Sequence, residues 1–314
     1  MANKLNKPIC ASNYGNTGFG ECILEPGKIL GAFQVTQDFE IAEGDITGLQ
    51  QFLIDKVQAD IGERIFPYHQ FINVTDNTED VTINTTDYGA KIIIRDGFYD
   101  LTFRYTAGGV LAHQEFARNS GSGKFFLFYD DKGVLYGYKS GGVLKGIPVD
   151  VFKVLPWKVN TGADTAQYNM RFIINPVYLN EGNLGFLPVT DFNLFDVKGL
   201  QDVVYELVSL VGNVAKVRAF TKISGVDLHG AFAAQFSSTG AWQAENESGS
   251  AVAITSVVDD TVNGGWTITF STVPFNAADK VYLRNADADA LQALNVVGYE
   301  GKESDALEIE GPAS

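Results

Sequence analysis

The side chains that most often carry chemistry are scarce in this chain: 314 residues hold two cysteines and three histidines. Cys10 and Cys22 bracket the stretch CASNYGNTGFGEC. A structural zinc site takes four Cys or His ligands, usually in paired short knuckles, and no histidine precedes His69, so the two thiols do not read as a metal clip. Gly15, Gly18 and Gly20 suggest a phosphate loop, yet no Gly-Lys-Ser/Thr follows, and a nucleotide fingerprint needs a strand before it and a helix after it. The turn formers from Asn13 to Gly18 read instead as an irregular N-terminal arm. Whether the thiols pair depends on a Cβ–Cβ distance that spacing does not set.

The other candidates fare no better. His69 in FPYHQF, His113 in VLAHQEFAR and His229 in DLHGAF stand outside any metal or nucleophile–base motif and read as structural or surface polar residues. Gly121-Ser122-Gly123 in NSGSGK does not complete the Gly-x-Ser-x-Gly elbow of a hydrolase and reads as a flexible linker. Asp76, Glu79 and Asp80 in TDNTED, and Asp130 with Asp131, have the chemistry of a glycosidase carboxylate pair. Both groups lie in turn-like sequence, where Asp is favoured for bonding local amides. NADADALQALNV, residues 285–296, starts like a calcium loop, but Ala290 and Val296 replace the required glycine and glutamate. The sequence thus assigns no catalytic residue, no cofactor site and no metal ligand. Aromatics crowd two hairpins, Phe98, Tyr99, Phe103 and Tyr105 in one, and Phe125, Phe126, Phe128, Tyr129, Tyr136 and Tyr138 in the other. They suit sugar stacking or sheet packing, of which packing is the commoner use.

The elements that would position these residues are mostly strands. GDITGLQQFLIDKVQADIGERI predicts a helix, with Ile46, Leu49, Phe52, Leu53, Val57 and Ile61 on one face and Asp45 as N-cap. A second short helix is expected over residues 110–118. Between and after them come β-rich runs: RIFPYHQFINV, DVTINTT, AKIIIRDGFYDLTFRYT with a two-residue turn at Asp96-Gly97, and KFFLFYDDKGVLYGYK with its turn at Asp130–Gly133. VLKGIPVDVFKVLPWKV and QYNMRFIINPVYL add further strands, while FNLFDVKGLQDVVYELVSLV fits a helical face through Leu200, Val203, Val204, Leu207 and Leu210 and stays ambiguous.

The last third changes character. From Lys222 onward, four basic residues stand against thirteen acidic ones, which is most of the net charge of −15. Short runs at spacings near ten, HGAFAAQF, AVAITSVV, GWTITFST, DKVYLRN and ALEIEG, suggest a small immunoglobulin-like β-sandwich with Trp242 or Trp266 buried in it. The expected fold class is therefore mainly β with a few helices, a β-sandwich or barrel-like N-terminal domain over residues 1–215 and an immunoglobulin-like sandwich over 222–314. A pI near 4.6 argues against gripping a nucleic-acid backbone. No run is apolar enough to span a bilayer, and MANKLNKPIC lacks an apolar signal core, so cytosolic synthesis is expected.

The succession TDNTEDV, YGAKIIIRDGFYDLTFRYT and FFLFYDDKGVLYGYKSGGVLKGIPVDVF, with GYEG late in an appended small sandwich, resembles virion structural proteins of tailed bacteriophages, especially those infecting Bacteroidota. The resemblance implies a non-enzymatic virion part whose partners are copies of itself and other virion proteins, with no specific nucleic-acid binding and no membrane insertion. It further implies a tail-tube subunit in rings around the DNA channel, whose acidic wall lets DNA slide. A capsid-decoration protein is the alternative, and a carbohydrate-binding or glycan-hydrolysing protein, in which the C-terminal domain or Trp157, Trp242 and Trp266 meet host glycans, is the second. Deleting residues 1–22 is expected to leave a folded monomer that assembles poorly.

Overall fold

A computed structural model describes residues 4–6, 26–95, 97–106, 108–161, 166–179, 182–271 and 280–310, with the side chains of Ile94 and Arg95 outside this set. The stretch from Cys10 to Cys22, and with it the expected N-terminal arm, lies outside the described residues. The chain divides into two compact units, 1–198 and 199–314.

The first unit comprises strands β1 (Ile29–Val35), β2 (Glu40–Ile41), β3 (Phe66–Tyr68), β4 (Phe71–Asp76), β5 (Thr82–Thr85), β6 (Lys91–Arg95), β7 (Tyr99–Tyr105), β8 (Gly121–Asp130), β9 (Val134–Ser140), β10 (Val143–Lys145), β11 (Ile147–Val154), β12 (Tyr168–Ile174) and β13 (Leu184–Pro188). Its helices are α1 (Leu49–Gln58) and α2 (Gly109–Arg118). Hydrogen bonding runs β3-β1-β8-β11-β12-β7-β4. Because β3 and β4 are one chain segment, interrupted at His69-Gln70 where Gln70 takes φ 62°, the two ends of this path meet and the sheet closes into a barrel. β9 leaves β8 through the turn at Asp130–Gly133 and carries β13, β10 and β2 beside the barrel.

The barrel interior is filled by aromatic rings. Alternation sends Met170, Phe172 and Ile174 of β12, and Phe103 and Tyr105 of β7, inward to meet Phe126 and Phe128 of β8 and Phe152 of β11. Phe126 and Phe152 lie 4.9 Å apart, Phe126 and Phe172 5.0 Å, and Phe71 stacks on Phe103 at 4.8 Å. Each fully buried ring of this size contributes about 2–3 kcal/mol through surface removed from water. The expected aromatic hairpins therefore supply a core.

The second unit comprises β14 (Gln201–Val211), β15 (Val214–Thr221), α3 (His229–Phe232), β16 (Trp242–Asn246), β17 (Ile254–Asp260), β18 (Gly265–Phe270), β19 (Lys280–Asn285), α4 (Ala288–Ala293), β20 (Tyr299–Glu300) and β21 (Leu307–Glu310), the helix count following from the first unit. One sheet runs β17-β18-β15-β14-β20 and the other β16-β19-β21. With β14 to β19 and β21 taken as A to G in chain order, the sheets are A-B-E-D and C-F-G, the immunoglobulin constant-type arrangement, with β20 added in parallel beside A. Trp242 on C and Trp266 on E are both buried, 5.7 Å apart, between the two sheets.

Several expectations need correction. The domain boundary lies at Lys198/Gly199, not within 216–221, because β14 and β15 are strands A and B of the sandwich. The stretch left ambiguous, with a helical face through Leu200, Val203, Val204, Leu207 and Leu210, is β14: Val203, Tyr205 and Leu207 face the core at a period of two, and a register shift between Leu207 and Ser209 returns Leu210 to it. HGAFAAQF is α3 and turn, not strand. α1 begins after Gly48, and Asp45 instead accepts the Ala42 amide in the preceding turn at 2.8 Å.

Candidate functional site

The residues that could do chemistry do not converge. His69 is fixed at both nitrogens: its Nε2–H donates to the Val197 carbonyl at 2.8 Å, leaving Nδ1 to accept the Tyr129 hydroxyl at 2.5 Å. Phe33 and Phe195 pack on the ring. Burial pushes its pKa below the ordinary histidine value, the Val197 bond opposes this, and nearby Lys198 adds to it. His113 on α2 repeats the pattern, bound to the Tyr105 hydroxyl at 2.5 Å and to the Leu155 carbonyl, and burial again lowers its pKa. His229 in the second unit bonds Asp259 at 2.6 Å and packs edge-on to Trp266. Each histidine ties separate elements together. Among the described residues, no three His, Cys, Asp or Glu side chains are grouped to hold a metal ion.

Asp130 and Asp131 serve a turn, whereas Asp76 ends β4 and Glu79 bridges Phe98, so TDNTED runs along a strand pair and is not the turn expected. Asp130 accepts the amides of Lys132 at 3.0 Å, Val134 at 2.9 Å and Gly27 at 2.7 Å, and the Tyr136 hydroxyl at 2.7 Å. Asp131 accepts the Lys28 amide, and Asp76 caps Thr78. Ser122 lies within β8, opposite Val151, so NSGSGK opens a strand instead of forming a linker. The Trp242 and Trp266 indoles donate inward to the carbonyls of Phe236 and Ala233, which removes both from the proposed glycan surface; Trp157 alone of the three is half-exposed.

The feature that the sequence did not disclose is a long β-ribbon. β4 and β7 pair from Phe71↔Tyr105 to Asp76↔Leu101, and pairing goes on outward with register shifts: the Asn77 amide donates to Asp100 O, Glu79 bridges Phe98, and β5 pairs with β6 from Thr82↔Arg95 to Thr85↔Lys91. The turn is at Thr86–Ala90, where the Thr86 amide donates to Ala90 O at 2.8 Å and Gly89 takes φ 81°. Of the expected turn Asp96-Gly97, Asp96 lies outside the described residues, and Gly97 stands beside Phe98, which bridges Glu79. Gly97 is needed there because a Cβ would sit 1.9 Å from the Glu79 carbonyl oxygen. At the base, Arg171 clamps Asp100 with two bonds of 2.8 and 2.6 Å.

Among the described residues no third strand pairs with β5 or β6, and at ~3.3 Å per residue the run Asn77–Thr85 reaches about 30 Å. The ribbon as a whole, β4 to β7, carries Ile72, Val74, Val81, Ile83, Tyr88, Ile92 and Ile93 exposed, with Tyr88 wholly so and Ile83 directly opposite Ile93. Twenty large hydrophobic residues are exposed among the described residues, and seven of them fall in this one ribbon. Single exposed apolar residues need no explanation, but such a concentration marks a binding surface. A two-stranded ribbon is also only marginally stable alone in water.

No family model matches this sequence, and neither the curated proteins nor the solved structures contain a match.

Proposed function

We propose that this protein is a non-enzymatic structural subunit of a symmetric assembly in a tailed-phage virion, a tail-tube protein whose copies form rings around the DNA channel. The observation that carries this reading is the ribbon built from β4, β5, β6 and β7, which gathers seven of the exposed large apolar side chains. A monomer that works alone gains nothing from a marginally stable arm that presents isoleucine to water. The appended immunoglobulin-type sandwich and the resemblance in residue succession agree with a virion part. Residues 1–198 carry −6 of the net charge of −15, a mildly acidic wall past which DNA slides.

The test is assembly of the purified full-length protein, followed by sedimentation velocity and negative-stain imaging. Rings or stacked rings are expected for the native chain. Replacing residues 80–97 by an Asn-Gly turn between the paired residues Glu79 and Phe98 is expected to leave a folded protein that stays monomeric. A native chain that remains monomeric at high concentration would defeat the reading.

A further inference from the structure

Beyond the assembly reading, and independent of it, we propose that the end of the barrel holds a binding site for one small uncharged hydrocarbon ring of the size of benzene or toluene. A cavity of about 180 Å3 lies there, walled by side chains of the first unit alone. Its floor includes Phe103, Phe128 and Ile147, all buried, and its rim includes Leu101, Leu179 and Leu184, all half-buried. Leu101 stands opposite Asp76 in the last paired rung of β4 and β7, so the cavity sits at the end of the barrel from which the ribbon leaves.

The wall selects the ligand. It is entirely apolar. Tyr136, the lining side chain with a polar tip, donates its hydroxyl proton to Asp130 at 2.7 Å and has none to offer a ligand. A water held in such a place needs about two to four polar partners, and a charged or hydroxylated molecule needs at least one, so the site favours a ligand without polar groups. Size narrows the class further. An apolar cavity of ~150 Å3 stays dry and takes benzene, so this volume admits one six-membered ring with a methyl group and little more. The floor is preformed: Phe128 stacks on Phe103 at 6.2 Å and meets Phe172 edge-on at 5.3 Å, so little side-chain ordering opposes binding. Native interiors close most voids larger than a water molecule, and a gap kept at the mouth of a ring-filled core points to an occupant.

The experiment is calorimetric and uses the full-length chain. Titration with toluene is expected to show one ring bound per chain, and toluene at three times its dissociation constant to raise the unfolding temperature of the barrel by about 2–3 °C. Phenol carries the same ring with a hydroxyl that finds no partner, and is expected to bind at least about tenfold more weakly. Leu101→Phe brings a ring of its own into the cavity and should abolish the toluene shift, and Leu184→Phe fills the same space from β13; near-ultraviolet circular dichroism before toluene is added shows that each is folded. No heat and no shift in the native chain overturns the site. A shift that persists in a folded filled variant, or equal affinity for phenol, assigns toluene to another place and overturns it as well. The contrast of toluene with phenol is read on the native chain and decides the matter even where a filled variant does not fold. None of these outcomes bears on assembly, since the cavity lies within one copy.

Discussion

Replacing His69 by glutamine isolates the acid sensitivity built into the barrel. Glutamine can still donate to Val197 O and accept from the Tyr129 hydroxyl, so stability at pH 8 is expected to stay within ~1 kcal/mol of the native value. It cannot take up a proton. In the native chain burial holds the folded-state pKa of His69 below that of the unfolded chain, so below about pH 6.5 the unfolded chain binds the extra proton. The contribution of His69 is therefore complete above that pH and is lost as pH falls towards the folded-state value. One such proton gives a slope of at most about 1.4 kcal/mol per pH unit. His113 titrates in the same direction but is present in both proteins, and the difference between them belongs to His69. The assay is urea unfolding from pH 8 to 5, followed at the tyrosine near-ultraviolet band, since ten of the 13 tyrosines lie in residues 1–198. The native curve should fall away from the glutamine curve below pH 6.5. Parallel curves would refute the reasoning.

Other substitutions probe other contacts. Asp100→Asn removes the charge that Arg171 grips and should cost about 1.5–3 kcal/mol by the urea midpoint of the barrel. Gly97→Ala should force Glu79 O aside, costing ~1–3 kcal/mol and speeding hydrogen exchange at the Glu79 amide, which donates to Phe98 O. Gly265→Ala places a Cβ 2.2 Å from Val217 O and should destabilise the sandwich by a similar ~1–3 kcal/mol without moving the barrel transition. Acrylamide should quench Trp157 readily and the other two tryptophans weakly, so that Trp157→Phe removes most of the quenchable emission.

Where side-chain periodicity and burial coincide, the sequence was readable. α1 and α2 followed from apolar spacing, and the β8–β9 hairpin followed from Asp130–Gly133, where Asp130 meets its local amides as turn chemistry requires. The mainly β class and the late immunoglobulin-type sandwich were legible from short runs between turn signals. β14 was not, because Val204 faces away from the core that Val203, Tyr205 and Leu207 share and the bulge returns Leu210 to it, so the apolar spacing looks helical, and with it went the true domain boundary. Asp96-Gly97 has the residues of a turn, but its glycine answers to a carbonyl eighteen residues away in sequence order, at Glu79, which local preference cannot register. The ribbon stayed hidden for a related reason. Ile83 and Ile93 are as apolar as the isoleucines of the core, and only three-dimensional neighbours decide which of them water reaches.

Closure of the barrel through a single kinked segment has a kinetic consequence. The seam joins residues 66–68 to 29–35 on one side and 71–76 to 99–105 on the other, while β1 must also find β8 at 125–130. Such distant pairings make folding slow, since loop-closure entropy is lost before the contacts form. The nascent chain meanwhile exposes unpaired strand borders, so premature association competes with maturation, and dilute, slow synthesis favours the correctly closed product.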